Sequence, residues 1–187
     1  MKLPVYREVI VKKSAFIDFW SSQYDYEYEH LYVSNIGKRL TEKRIWNLFH
    51  WKNGAPLSRK KSVAVRRFIN DKTRIPPKLD TSFLSTYLNR PSGVIWRIFW
   101  LHCNRPEIYP IYDQNVHRAM ARIKGWVEVE IPKNNKDKVE MYINKYLPFW
   151  DEFSELPGRR VDEALWAFGA FLKLEYDFGS PRVAFIQ

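Results

Sequence analysis

Asp113 stands in the stretch YPIYDQNVHRAMAR (109–122), between a proline-marked approach and a run with helical spacing. A carboxylate at that junction has two employments. As a helix N-cap it accepts the free backbone N–H groups of the first turn, and the helix dipole favours its negative charge, so it stays ionised at neutral pH. Beside a nucleic acid, the same charge stabilises a sugar oxocarbenium ion as a base departs, or activates water. Arg118 and Arg122 lie four residues apart on one face of that helix, with Lys124 near its end, and supply cations for phosphates. These residues alone leave both readings open.

Three other sets could do chemistry with a polyanion. Ser92 and Gly93 lie in NRPSG, a tight connection between two helical stretches. A glycine there permits positive φ and close backbone approach, and its exposed N–H groups grip a phosphate without reading sequence. A local turn bond accounts for Ser92 equally well. In WKNGAPLSRKK (51–61), Trp51 is a candidate to stack on a base or wedge into a duplex, and Lys52, Arg59, Lys60 and Lys61 are candidates for phosphates. The competing reading is a helix C-cap followed by a solvated basic helix. In YDYEYEH (24–30), Tyr26 and Glu27 could line a pocket for a flipped base, against a half-buried strand or surface loop.

The remaining reactive types point to less. His30, His50, His102 and His117 have no metal-binding spacing, and His117 reads as a surface histidine although it follows Asp113 by one helical turn. Cys103 is the only cysteine, which excludes an intrachain disulfide and a four-cysteine zinc or iron–sulfur site; it reads as a core residue. Neither a metal nor a cofactor is expected.

The elements that must position these residues are mostly helices. AFIDFW (15–20) and TEKRIWNLFHW (41–51) read as helical, the latter capped by Thr41 and ended by Gly54 and Pro56. Ser58 caps a basic helix from Arg59, and IPPKLD (75–80) is a linker. Two helices flank the NRPSG hairpin, the second over 94–103, and the Asp113 helix runs over about 114–124 to a stop at Gly125. QYDYEYEHLY (23–32) suits a strand or extended loop, and WVEVEIP (126–132) a short extended piece. DKVEMYINKYLPFWDEF (137–153) and RRVDEALWAFGAFLKLE (159–175) are further helices, while PRVAFIQ (181–187) is left unassigned. No domain boundary is visible, so 1–187 reads as one domain.

Composition narrows the partner. The net charge of +10 favours nucleic acid first and an anionic membrane second. Aromatic residues make up 17% of the chain, which leaves candidates for a stacking surface beyond those a core needs. The apolar run GVIWRIFWLHC is short and broken by Arg97, and the N-terminus has no apolar signal segment. A cytoplasmic or nucleoid-associated protein with duplex DNA as partner, and no membrane, is the expectation.

PIYDQNVHRAMAR resembles the segment around the catalytic aspartate of helix-hairpin-helix DNA glycosylases, closest to the adenine DNA glycosylase (MutY-like) type. The matching positions are Pro110, Ile111, Asp113, Asn115, Val116, Arg118, Ala121 and Arg122; endonuclease III-like enzymes share the sparser set of Asp113, an aliphatic at 116, Arg118 and Arg122. PSG (91–93) falls at the family's glycine–hydrophobic–glycine turn, with Pro91 in place of the first glycine and Gly93 as the second. The likeness covers roughly residues 82–125. It implies a mainly α, glycosylase-like helical bundle, in one form two helical lobes around a cleft, and base excision by hydrolysis with Asp113 catalytic. Ile95 stands where bifunctional members carry a lysine nucleophile, so the resemblance implies an enzyme without lyase activity. The iron–sulfur cysteines are missing, and neither Glu27, Glu29 nor Glu42 matches the adenine-specific acid. The alternatives are a non-enzymatic DNA-binding protein on the same scaffold and an RNA-binding module.

Overall fold

The computed structural model describes residues 9–175 and 183–186. In chain order the elements are β1 (Val9–Lys12), α1 (Lys13–Ser22), α2 (Glu29–Val33), α3 (Glu42–Asn53), α4 (Arg59–Ile69), α5 (Thr81–Leu88), α6 (Val94–Asn104), α7 (Gln114–Ile123), α8 (Asn135–Met141), a π-helical segment (Tyr142–Tyr146), α9 (Leu147–Asp151), α10 (Gly158–Glu175) and β2 (Val183–Ile186). The mainly helical class expected from periodicity is what forms. Contacts divide the chain into two compact units, a continuous one over Tyr26–Ile111 and one built from the segments up to Asp25 and from Tyr112 onward. Neither crossing is marked by a linker composition: one falls inside YDYEY and the other inside PIYD. That is why the chain reads as one domain from sequence.

In the continuous unit, α3, α4 and α6 bring a set of rings together. Phe49 of α3 stacks on Phe68 of α4 at 5.1 Å between ring centroids and meets Phe99 of α6 edge-on at 5.3 Å. All three rings are buried, with Leu48, Val65 and Ile98 around them. Burying side chains of this size stabilises by about 1.5–3 kcal/mol each. The caps follow the sequence signals: Thr41 Oγ1 accepts from Arg44 N, Ser58 Oγ from Lys61 N, and Gly54 closes α3. The tyrosine-rich stretch is not a strand: residues 24–28 form the loop that is the alternative to one, and from Glu29 the chain departs from expectation as α2.

In the other unit, α10 packs against α1 and α7. Phe16 meets Phe168 edge-on at 5.2 Å, and Trp20 lies 4.9 Å from the same ring. Gly169 comes so close to α7 that a Cβ on it would lie 1.9 Å from the Asn115 carbonyl oxygen. Only a residue without a side chain fits there. Residues 126–132 are an irregular strap rather than a strand. Gln114 fastens it, accepting from Ile131 N at 3.1 Å and donating to Val129 O at 3.3 Å. Of the unassigned C-terminal stretch, 183–186 is strand and pairs in parallel with β1, Val9 opposite Val183; 181, 182 and 187 lie outside the described residues.

Candidate nucleic-acid interface and the Asp113 cap

The hairpin forms where NRPSG places it, between α5 and α6. Ser92 and Gly93 both take positive φ, 102° and 82°, and Ser92 is the only non-glycine to do so among the described residues. Gly93 is the N-cap of α6 and supplies no side-chain cap, so the first N–H groups of α6 receive no side-chain acceptor from it. Beyond its chain neighbours, no described residue has an atom within 4 Å of where a Cβ on Gly93 would lie. Backbone conformation therefore requires the glycine, and crowding does not.

Arg97 holds this turn in shape. It is buried at 7% exposure. From one turn into α6 it reaches back, and its Nε donates to Pro91 O at 2.8 Å and Arg90 O at 3.1 Å, with a second donation to Pro91 O from Nη2. Its guanidinium lies over the Tyr87 ring at 4.8 Å and 4.0 Å from an Asp71 carboxylate oxygen, which also accepts from Tyr87 Oη at 2.8 Å. Burial opposes ionisation of Asp71, but hydrogen bonds from Thr73 and Tyr87 and the Arg97 charge outweigh it and hold the carboxyl below its ordinary range. Sequence reasoning saw Arg97 only as a break in an apolar run. A charge in the middle of GVIWRIFWLHC, one turn after a glycine turn, is the signal that was there to be used.

Facing the hairpin, α4 presents Lys60, Val63, Ala64 and Arg67, which follow the i, i+3, i+4, i+7 spacing of one helix face. With Lys61, Ser92, Gly93 and Trp96 they line an open pocket of about 650 Å³. The lining holds three cations and no carboxylate. Lys61 donates to Asn53 Oδ1, whereas Lys60 and Arg67 make no ion pair with a described residue. The Ser92 hydroxyl is buried and has no hydrogen-bond partner among the described residues. Arg59 is exposed at the first position of α4. Thus Arg59, Lys60, Lys61, Ser92 and Gly93 fall within one unit, and all but Arg59 line this one pocket.

The other candidates in that unit are placed differently. Trp51 is buried at 6% exposure and is not available as a wedge. Its Nε1 donates to Glu29 Oε2 at 3.0 Å, and its ring packs on Tyr32 at 4.5 Å. Tyr26 donates to Trp51 O at 2.7 Å, so it ties the segment before α2 to the end of α3. Glu27 is exposed on the neighbouring turn. Lys52 lies over the Phe99 ring at 5.8 Å. The general cause is apolar area: an aromatic ring at the end of an apolar helix gains more from burial than from remaining a surface platform.

Asp113 caps α7. Its Oδ1 accepts from Asn115 N at 3.0 Å and Val116 N at 3.1 Å, and the residue is half-buried. The two arginines on α7 do not form a basic stripe. Arg118 is 4% exposed, donates to Gly169 O at 2.9 Å and Asn115 Oδ1 at 3.0 Å, and lies 3.4 Å from Glu130. It fastens α7 to α10 and cannot reach a phosphate. Arg122 is half-buried. Lys124 is ion-paired with Glu152 and lies over Phe149, so its charge is already matched.

Sequence reasoning missed a buried polar cluster beside Asp113. His117 is not at the surface: it is 1% exposed, and Nδ1 shares a 2.7 Å hydrogen bond with Tyr112 Oη. Burial pushes its pKa down to about 4 despite Glu130 and Glu128 nearby, so the ring is neutral at pH 7. The Tyr112 ring lies 4.8 Å from Tyr146 and 5.7 Å from Tyr142, both on the π-helical segment. Burial raises the Tyr112 and Tyr146 hydroxyls well above their ordinary range, and the charge of Asp113 adds to this for both. Cys103 is buried as expected, and burial pushes its thiol up. No family model, curated protein or solved structure matches the chain.

Proposed function

We propose that the protein binds the phosphate backbone of duplex DNA through α4 and the 89–93 hairpin. One observation carries this reading. A pocket wall brings together cations of α4 and an open glycine turn, from separate stretches of sequence, with no carboxylate among them. Amide groups at a helix start and mobile cations are what a phosphate needs, and neither reads bases. The charge on α4 is also set against its own helix. Arg59, Lys60 and Lys61 fill the first turn, where the dipole favours acids, and no acid is present there. Folding gives Lys61 a contact with Asn53 Oδ1 and gives no reason for the placement of Arg59 and Lys60. Binding is tested by fluorescence anisotropy with two duplexes of unrelated sequence. Similar affinities are expected, and loss of both in Arg59→Glu/Lys60→Glu/Lys61→Glu; no binding by the unmutated protein at low salt would end the proposal.

A second reading adds chemistry: monofunctional, glycosylase-like excision of a damaged or modified base, with Asp113 as the charge that stabilises the oxocarbenium ion. What favours it is the cluster of buried hydroxyls and a neutral histidine around a carboxylate, together with a π-helical segment, since such segments recur at functional sites. Ile95 has no amine, so the product is an abasic site and borohydride traps no adduct. The assay is alkali-induced cleavage of labelled duplexes carrying several damaged and modified bases. Activity that is lost in Asp113→Asn, with DNA affinity kept, supports the reading; unchanged activity in that variant removes Asp113 from the chemistry.

A further inference from the structure

The pocket at the hairpin is more than a phosphate cradle. Between its cations lies an apolar patch made by Val63, Ala64 and Trp96. Val63 is 47% exposed, one of the few large apolar side chains so exposed among the described residues. Trp96 is held from behind by Phe49, with ring centroids 5.1 Å apart, and is itself only half-buried. A groove meant for a duplex backbone alone needs cations and amides; an apolar floor gains nothing from a phosphate or a solvated sugar edge. A nucleobase matches it, because every base has an apolar face that stacks on an indole.

Resting on the backbone-binding reading, we propose that this pocket accepts one unpaired nucleotide of a DNA strand. Its base lies on Trp96 between Val63 and Ala64. Its flanking phosphates meet Lys60, Lys61 and Arg67, with the hairpin amides as further donors. The pocket volume of about 650 Å³ exceeds what a single nucleotide fills, and the absence of any carboxylate in the lining suits an anionic occupant. The ligand class is therefore duplex DNA with an extrahelical or unpaired nucleotide, and the stacking platform is Trp96 rather than the buried Trp51.

The experiment compares three fluorescent duplexes: fully paired, with one central unpaired nucleotide, and with an unpaired abasic residue at the same place. The unmutated protein should bind the second about tenfold more tightly than the first, the order of one base stack. The abasic duplex is as flexible but has no base, and should lose that preference. Val63→Asn, at an exposed position, should lose most of the preference and keep its affinity for the paired duplex; Trp96→Ala, checked by its melting curve, should do the same. Equal affinity for all three duplexes overturns the nucleotide pocket while leaving backbone binding standing. A preference that survives in both variants also overturns it, by placing the unpaired base elsewhere. Failure to bind any of the duplexes overturns both this inference and the reading beneath it.

Discussion

The starts of α4 and α7 solve the same problem with opposite chemistry. Each has a side-chain cap, Ser58 on Lys61 N in one and Asp113 on Asn115 N and Val116 N in the other. At α7 the capping charge agrees with the helix dipole, the helix is buried, and the arginine that follows is consumed by Gly169 O and Glu130. At α4 the first turn carries three cations against the dipole and leaves them exposed. Folding accounts for the first end nearly in full. For the second it accounts for the cap and the Lys61–Asn53 contact, and the surplus charge is where a polyanionic partner is to be sought.

The contrast is broken most severely at α7. Gly169→Ala drives a Cβ into the Asn115 carbonyl, and separating α10 from α7 to make room should cost about 3 kcal/mol in urea unfolding. An outcome within about 0.5 kcal/mol of the parent, the range of ordinary surface changes, would mean that this end is not held as described.

Acid should weaken the same end. The folded pKa of His117, about 4, lies below the ordinary value of 6.5, so the unfolded chain takes up the proton first. The stability due to the neutral ring is complete above pH 6.5 and is lost progressively as pH falls through about 4. Urea midpoints at pH 7 and pH 4.5 should therefore differ more for the parent than for His117→Gln.

Asp113 separates charge from capping. Asp113→Ala should cost about 1–2 kcal/mol through loss of the cap, while Asp113→Asn should cost only a few tenths, because an amide oxygen still accepts. Equal losses in thermal melts would show that the charge, not the cap, holds α7.

The smallest effect on stability has the opposite sign. Arg59→Glu/Lys60→Glu puts acids at the start of α4 and should raise stability by about 0.3–1 kcal/mol per residue, even as DNA affinity falls. A loss of stability would mean that these cations have partners in the fold.

Much of the scaffold was legible in sequence, and the reasons are local. Thr41, Ser58 and Asp113 act as caps through contacts within three residues, and the turn at Gly93 depends on its own φ. The unreadable part is tertiary. Arg118 and Arg122 share a face by spacing, but only the approach of Gly169 decides that the face is inward. Tyr26 and Trp51 have the composition of a base pocket, yet Tyr26 donates to the Trp51 carbonyl and the buried Trp51 ring is engaged by Glu29 and Tyr32. Trp96 is half-open beside cations, and its neighbours Val63 and Ala64 come from a helix distant in sequence.

The central claim is that DNA phosphates meet the α4 and hairpin surface, and the salt dependence of duplex affinity tests it most directly. The slope of log affinity against log salt should fall by about 0.9 for each phosphate contact removed in Lys60→Ala/Lys61→Ala/Arg67→Ala, and should be unchanged in Asp113→Asn. A triple variant with the parent's slope would contradict the account and place the DNA elsewhere on the protein.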